Sequence, residues 1–134
     1  MAPAKSETGA DRSELPWEPF SLEKLKKLTA QNKTVLVDFT ADWCLTCKFL
    51  ENTVLNTAEV RRAVEENAVV TLVADFTDRD PEIGSLLDAF GSGRQVPVLA
   101  IFPAGQPNQP IVLMGGYTKG TLLEKLQQAG RSRG

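Results

Sequence analysis

The runs TVLVDFT (34–40), AVVTLVADF (68–76), VPVLAIF (96–102) and PIVLMG (110–115) are apolar and β-branched almost throughout, the pattern of strands buried on both faces. Between them the period changes. Ser21 can cap a helix that carries Leu22, Leu25 and Leu28 on one face, with Lys24, Lys26 and Lys27 off it. Residues 44–55, CLTCKFLENTVL, contain no breaker and read as a second helix, and Thr57 can cap a further stretch through Val60 and Val64. Asp80 as N-cap and Pro81 at the first helical position start a helix over Ile83, Leu86, Leu87 and Phe90 that stops at Gly91. Thr118 caps the last helix, with Leu122, Leu123 and Leu126, ending at Gly130. LPWEPF (15–20), broken by two prolines, is at best an edge strand. The loop PAGQPNQ is too short to hold a crossover helix, so the strands it joins are expected to be antiparallel neighbours. The order β-α-β-α-β-α-β-β-α predicts an α/β fold with a mixed central β-sheet flanked by helices on both faces.

Length and charge limit the function classes. A chain of 134 residues with 42% apolar and 24% charged residues fits one domain, large enough to bury a core without cross-links. That domain is expected over 16–130, with a polar tail or linker over 1–15 and a short tail over 131–134. A net charge of −2 and scattered lysines form no basic stripe, which argues against nucleic acid or an anionic membrane as partner. No apolar run approaches the ~20 residues needed to span a bilayer. MAPAKSETGADRSEL has no apolar h-region, so no secretory signal is read in the chain as written. Nothing suggests more than a monomer.

The chemistry of the chain rests on Cys44 and Cys47, since there is no third cysteine and no histidine. Tetrahedral zinc wants four ligands, usually cysteine and histidine, so no metal site is expected. As a staple, a disulfide over so short a loop contributes about 2 kcal/mol, against nearly 5 for a 100-residue loop, and a domain of this size does not need it. Redox chemistry fits better. The pair follows a buried strand and opens a helix, where unpaired N–H groups and the helix dipole stabilise a thiolate on Cys44. Cys47, one turn further, should face the interior. That asymmetry suits attack on a partner disulfide by Cys44 and resolution by Cys47.

VLVDFTADWCLTCK resembles the active-site segment of the thioredoxin superfamily. Val96–Pro97, opening a strand, looks like the cis-proline that this superfamily places beside the cysteines, and GGYTKGTLLEKL resembles its last strand end and helix. The likeness covers residues 20 to 129 and implies the thioredoxin fold. Three departures separate the chain from ordinary thioredoxin: Leu45-Thr46 between the cysteines, Thr40 where an aromatic residue is usual, and no lysine in 68–76. ADWCLTCKFLENTVL instead resembles the C-terminal domain of the transmembrane thiol:disulfide interchange protein (DsbD) family. That resemblance implies a domain on the periplasmic side of the bacterial inner membrane. It would take electrons from a membrane-embedded donor, one that a longer chain containing this domain could itself supply. It would deliver them to periplasmic proteins, disulfide isomerases or cytochrome c biogenesis proteins among them.

Two acids accompany the cysteines. Asp38 interrupts an apolar strand, either as a strand-end carboxylate reaching solvent or as a buried carboxyl with a raised pKa, able to exchange a proton with Cys47. Glu51 falls on one helical face with Cys44 and Cys47, which fits a surface glutamate as well as a functional one. In the interchange family, acids at these positions flank the cysteines, so the resemblance assigns both to tuning and proton transfer. Trp43 reads as partner contact or as packing. At Pro97, a cis bond would expose the Val96 backbone to an extended substrate chain. The acids of DFTDRDPE (75–82) lack the EF-hand spacing and read as a turn and helix cap.

The sequence reading is therefore a protein disulfide reductase with Cys44 as nucleophile and Cys47 as resolving thiol. It needs no cofactor beyond this redox-active disulfide, and protein disulfides are its substrates. A general cytosolic thioredoxin-like reductant is the alternative if the chain is native as written. A non-enzymatic metal-carrying or binding domain is the other.

Overall fold

A computed structural model describes residues 15–133; of the tail expected over 1–15, all but Leu15 lies outside the described residues, as does Gly134. The central strand is β2 (Val35–Thr40), in which all six residues are buried. It pairs in parallel with β3 (Val70–Asp75) and antiparallel with β4 (Val98–Phe102). β4 pairs antiparallel with β5 (Ile111–Met114), the arrangement the short loop requires. The two-residue edge strand β1 (Glu18–Pro19) runs parallel to β3, giving the order β1-β3-β2-β4-β5.

Strand alternation divides the core between the two sheet faces. Val35, Val37 and Phe39 point to one side, where they meet α1 (Leu22–Ala30) through Leu25 and α4 (Pro81–Phe90) through Ile83 and Leu87. An aromatic row reinforces this layer: Phe39 packs edge-on against Phe90 at 5.6 Å, with Phe102 and Phe20 beyond. Leu36 points to the other side, with Leu99 and Ile101, against α2 (Leu45–Leu50), α3 (Ala58–Glu66) and α5 (Lys119–Ala129). Asp38 and Thr40 share the parity of Leu36. The strand therefore aims its polar residues at the layer that contains α2.

The helix starts follow local chemistry. Ser21, Thr57, Asp80 and Thr118 each accept a backbone N–H of the first turn, and Gly91 ends α4 at φ 86°. Two expectations differ from the structure. The helix expected over 44–55 is α-helical only to Leu50, and Glu51–Leu55 form a π-helical turn closed by Asn56 N–H to the Glu51 carbonyl at 2.9 Å. Within it the Thr53 hydroxyl donates to the Phe49 carbonyl at 2.7 Å, taking up an acceptor that a regular helix gives to a backbone N–H.

The tails are also shorter than expected. Leu15 is buried in the core. Ser132 N–H donates to Asn67 O and Arg133 N–H to Asn32 O, while the Ser132 hydroxyl bonds Ala68 O and accepts from Thr34 N–H. These bonds satisfy backbone groups at the start of β2 and before β3, so the chain end is fixed.

Candidate active site

The end of β2 and the start of α2 place the two cysteines. Cys44 is the N-cap residue of α2, with extended backbone (φ −103°, ψ 98°), and its Sγ accepts the Cys47 N–H at 3.1 Å. That bond supports negative charge on the Cys44 sulfur when the pair is reduced. Cys44 and Cys47 are joined in a disulfide. Both cysteines are largely buried, Cys44 the less so of the two, at 8% exposed against 1% for Cys47. Ala41 and Val96 complete their apolar surroundings. The Val96–Pro97 peptide is cis, and the Val96 carbonyl oxygen lies 3.8 Å from Cys44 Sγ.

Asp38 is 3% exposed and does not reach solvent. Burial pushes its carboxyl well above the usual range; the Glu51 carboxyl beside it, sharing its proton and adding negative charge, pushes further, and Lys48 opposes them. Glu51 keeps 19% of its side chain exposed and lies 3.7 Å from Lys48 Nζ, which is also 3.8 Å from Asp42. The Tyr117 phenol is held protonated by burial and by the charges of Asp38 and Glu51. A cavity of about 270 Å³ adjoins the acid pair, lined by Trp17, Thr40, Asp42, Asn56, Val73 and Asp75 besides Asp38, Lys48 and Glu51. The Thr40 hydroxyl in its wall has no protein partner.

Trp43 is half-exposed beside Cys44. Its indole N–H donates to Thr77 O at 3.1 Å, and the Arg79 guanidinium sits 4.7 Å above the ring. The fold thus brings Cys44, Cys47, Val96 and the cis Pro97 together just beyond the end of β2, with Trp43 next to Cys44, and pairs Asp38 with Glu51 on the sheet face against which α2 packs. Sequence reasoning missed Lys48, Trp17, Asn56, Thr77 and Arg79. Lys48 had a signal, since it lies one turn beyond Cys44 and three residues before Glu51. The others act through contacts between distant segments. No group of three or more Cys, Asp or Glu side chains is arranged to hold a metal ion among the described residues.

A CxxC disulfide at a strand-to-helix junction, its first cysteine capping the helix and its second almost fully buried, defines a thiol–disulfide oxidoreductase of the thioredoxin type. The chain belongs to the thioredoxin-like family, whose family model matches residues 16–104. It is similar to the thiol:disulfide interchange protein DsbD of Ralstonia nicotianae, 35% identical over 108 residues that make up 80% of this chain and 17% of that protein. DsbD 1 of Pseudomonas aeruginosa is 31% identical over 97 residues, 72% of this chain and 16% of its own. The chain therefore spans about a sixth of the length of these relatives, 17% and 16%. Among solved structures, it is similar to the oxidised C-terminal domain of DsbD from Neisseria meningitidis. The TM-score is 0.63 at 27% identity, over 80% of this chain and 90% of that one.

Proposed function

We propose that this domain is a protein disulfide reductase that receives electrons from a membrane-embedded dithiol and passes them to periplasmic acceptor proteins. The observation that carries the reading is the asymmetry of the pair: Cys44 at the helix start and the more exposed of the two, Cys47 almost fully buried, on a helix whose next turn brings Glu51 to the buried Asp38. Similarity to the C-terminal domain of DsbD supports the direction of flow and the periplasmic setting. No helix of the described residues is long and apolar enough to cross a membrane, so a membrane donor has to come from another segment or another protein.

The exchange balances as two thiol–disulfide steps. A donor thiolate attacks Cys44 Sγ, the disulfide breaks, and Cys47 leaves as a thiolate that takes the proton held by Asp38. The second donor thiolate then attacks the mixed disulfide, and Cys44 is released while the donor pair becomes a disulfide. Toward the acceptor the order reverses. Cys44 thiolate forms the mixed disulfide, Asp38 takes the Cys47 proton, and Cys47 attacks Cys44 Sγ to expel the reduced acceptor. Two electrons pass, and Asp38 ends as it began. Val96 and Trp43 supply the contact surface around the reacting sulfur, Val96 through its backbone beside Pro97.

The test is the reduction potential of the pair. The protein is equilibrated in defined dithiothreitol or glutathione buffers, free thiols are trapped, and the alkylated groups are counted by mass spectrometry. A two-electron transition near or below about −220 mV is expected. A value near about −120 mV makes the domain an oxidant and overturns the proposed direction.

A further inference from the structure

Trp17 sits in the wall of the acid cavity, on a segment held at two points. On its C-terminal side, Glu18 and Pro19 pair with Leu72 and Val73 of β3, and Val73 lines the same cavity. On its N-terminal side, Leu15 is buried in the core that contains Leu50 and Val54. Between these anchors one atom does the fixing. The Asn56 carboxamide oxygen accepts the Trp17 indole N–H at 3.0 Å and the Leu15 backbone N–H at 3.1 Å. Asn56 is placed by the π-helical turn, since its own N–H closes that turn on the Glu51 carbonyl. The residue that presents Glu51 and the residue that holds Trp17 are therefore opposite ends of one turn.

The other walls cannot exclude water in the same way. Thr40 is small, and Asp42, Lys48 and Asp75 are polar and reach solvent. The apolar residues of the lining are Trp17 and Val73, and Trp17, the aromatic of the two, is the larger. We propose that Trp17, latched by Asn56, is the wall that keeps Asp38 out of bulk water, which makes it a positioning residue for the proton step. The inference rests on the reading of Asp38 as the proton-exchanging group given above.

The charged and titratable groups facing Asp38 are Glu51 and Lys48 from α2 and its π-helical turn, Asp42 from the preceding loop, Asp75 from β3 and Tyr117 from the approach to α5. None of them is altered by changing Trp17. Removal of the indole admits water to Asp38 and lets its carboxyl ionise more easily, because burial is the leading cause that disfavours the charged form.

The test is carried out on the oxidised protein, whose cysteines do not titrate. Carboxyl carbon-13 resonances are followed against pH, with Asp38 assigned by its loss in Asp38→Asn. Trp17→Ala is expected to shift the Asp38 midpoint down toward the ordinary carboxylate range, and Trp17→Phe to leave it near wild type. A Trp17→Ala protein with wild-type circular dichroism and an unmoved Asp38 midpoint overturns the proposal. It would then mark Trp17 as packing alone. Should Trp17→Ala not fold, hydrogen exchange of the wild-type Trp17 indole N–H decides. Protection supports the latch, and exchange as fast as in a free indole refutes it. Failure of the parent reading looks different, since Asp38→Asn would then leave Cys47 resolution of a mixed disulfide at the wild-type rate.

Discussion

Asp38 and Glu51 bring two carboxyls together although they come from different elements, Asp38 from a fully buried strand and Glu51 from the first position of a π-helical turn. Burial first, and then the Glu51 carboxyl beside it, disfavour the charged form of Asp38, so its carboxyl keeps a proton to higher pH than usual. The arrangement holds a proton in the interior, on the sheet face against which the cysteine helix packs.

A stability profile follows with a definite sign. The folded protein keeps Asp38 protonated at pH values where the unfolded chain, with a carboxyl near ~3.9, has lost that proton. The folded state then binds more protons, so stability falls as pH rises from the unfolded value through the folded one. Asp38→Asn removes the group that must ionise. Thermal melts of the oxidised protein should show Asp38→Asn melting a few degrees higher than wild type at pH 8 and close to it at pH 4. Parallel melting curves at both pH values would contradict the buried, proton-holding carboxyl.

The same pair bears on the attacking thiol. In the reduced protein of the proposed exchange, Asp38 has passed its proton to Cys47, so Asp38 and Glu51 add negative charge that opposes a thiolate on Cys44. Asp38→Asn and Glu51→Gln should therefore each lower the pH at which reduced Cys44 ionises. Ultraviolet absorbance of the thiolate reads this directly. If neither substitution moves the Cys44 transition downward, the acids are not tuning the nucleophile.

How far these features were legible in the sequence depends on the range of the interaction. Ser21, Thr57, Asp80 with Pro81, Gly91 and Thr118 act within a turn of their own position, and each marks a helix end both in the sequence and in the fold. The apolar runs around Val35 and Val98 were equally plain, because burial on both faces leaves no polar phase to misread. The π-helical turn was not readable. Its apolar residues Val54 and Leu55 fit an ordinary helix, and the Thr53 hydroxyl bond to the Phe49 carbonyl that accompanies the turn leaves no mark in the sequence pattern. Nor could the sequence connect Trp17 with Asn56, 39 residues apart, or place Arg79 over Trp43, which depends on a left-handed backbone (φ 56°) that arginine seldom adopts.

Arg79 and Thr77 hold Trp43 at the rim of the site. The guanidinium covers one ring face, and an exposed stack of this kind is worth about 0.5–1 kcal/mol. In the proposed reductase reaction, Arg79→Ala should free the indole, shift Trp43 emission and raise KM for a protein disulfide by roughly two- to fivefold, with kcat little changed. Arg79→Lys should restore only part of the effect, since a lysine cannot stack as a plane. An unchanged emission spectrum together with an unchanged KM would remove Trp43 from the contact surface.

The helix cap at Asp80 separates stability from chemistry. Its carboxylate accepts the Glu82 and Ile83 N–H groups at 2.8 and 3.2 Å, and α4 packs on the sheet face opposite Asp38. Asp80→Ala should cost about 1 kcal/mol in denaturant unfolding. The reduction potential of the cysteine pair should not move, because α4 touches neither sulfur nor the acid cavity. A potential displaced along with the stability would mean that the two layers are coupled through β2.

The two cysteines should differ most when each is left alone. Cys47→Ala retains the more exposed cysteine at the start of α2, so its Cys44 should form a lasting mixed disulfide with a small aromatic disulfide or a protein partner, there being no second thiol to resolve it. Cys44→Ala retains a thiol that is 1% exposed and lies within a helix turn, where a thiolate is poorly solvated and a partner cannot approach in line. Its reaction should be slower by about tenfold or more at equal pH. Stopped-flow absorbance with each reduced variant gives the two rates, and denaturation should bring them together, since unfolding removes the burial that separates them. Equal rates in the folded proteins would assign no distinct nucleophile, and the two-step exchange proposed for the pair would lose its order.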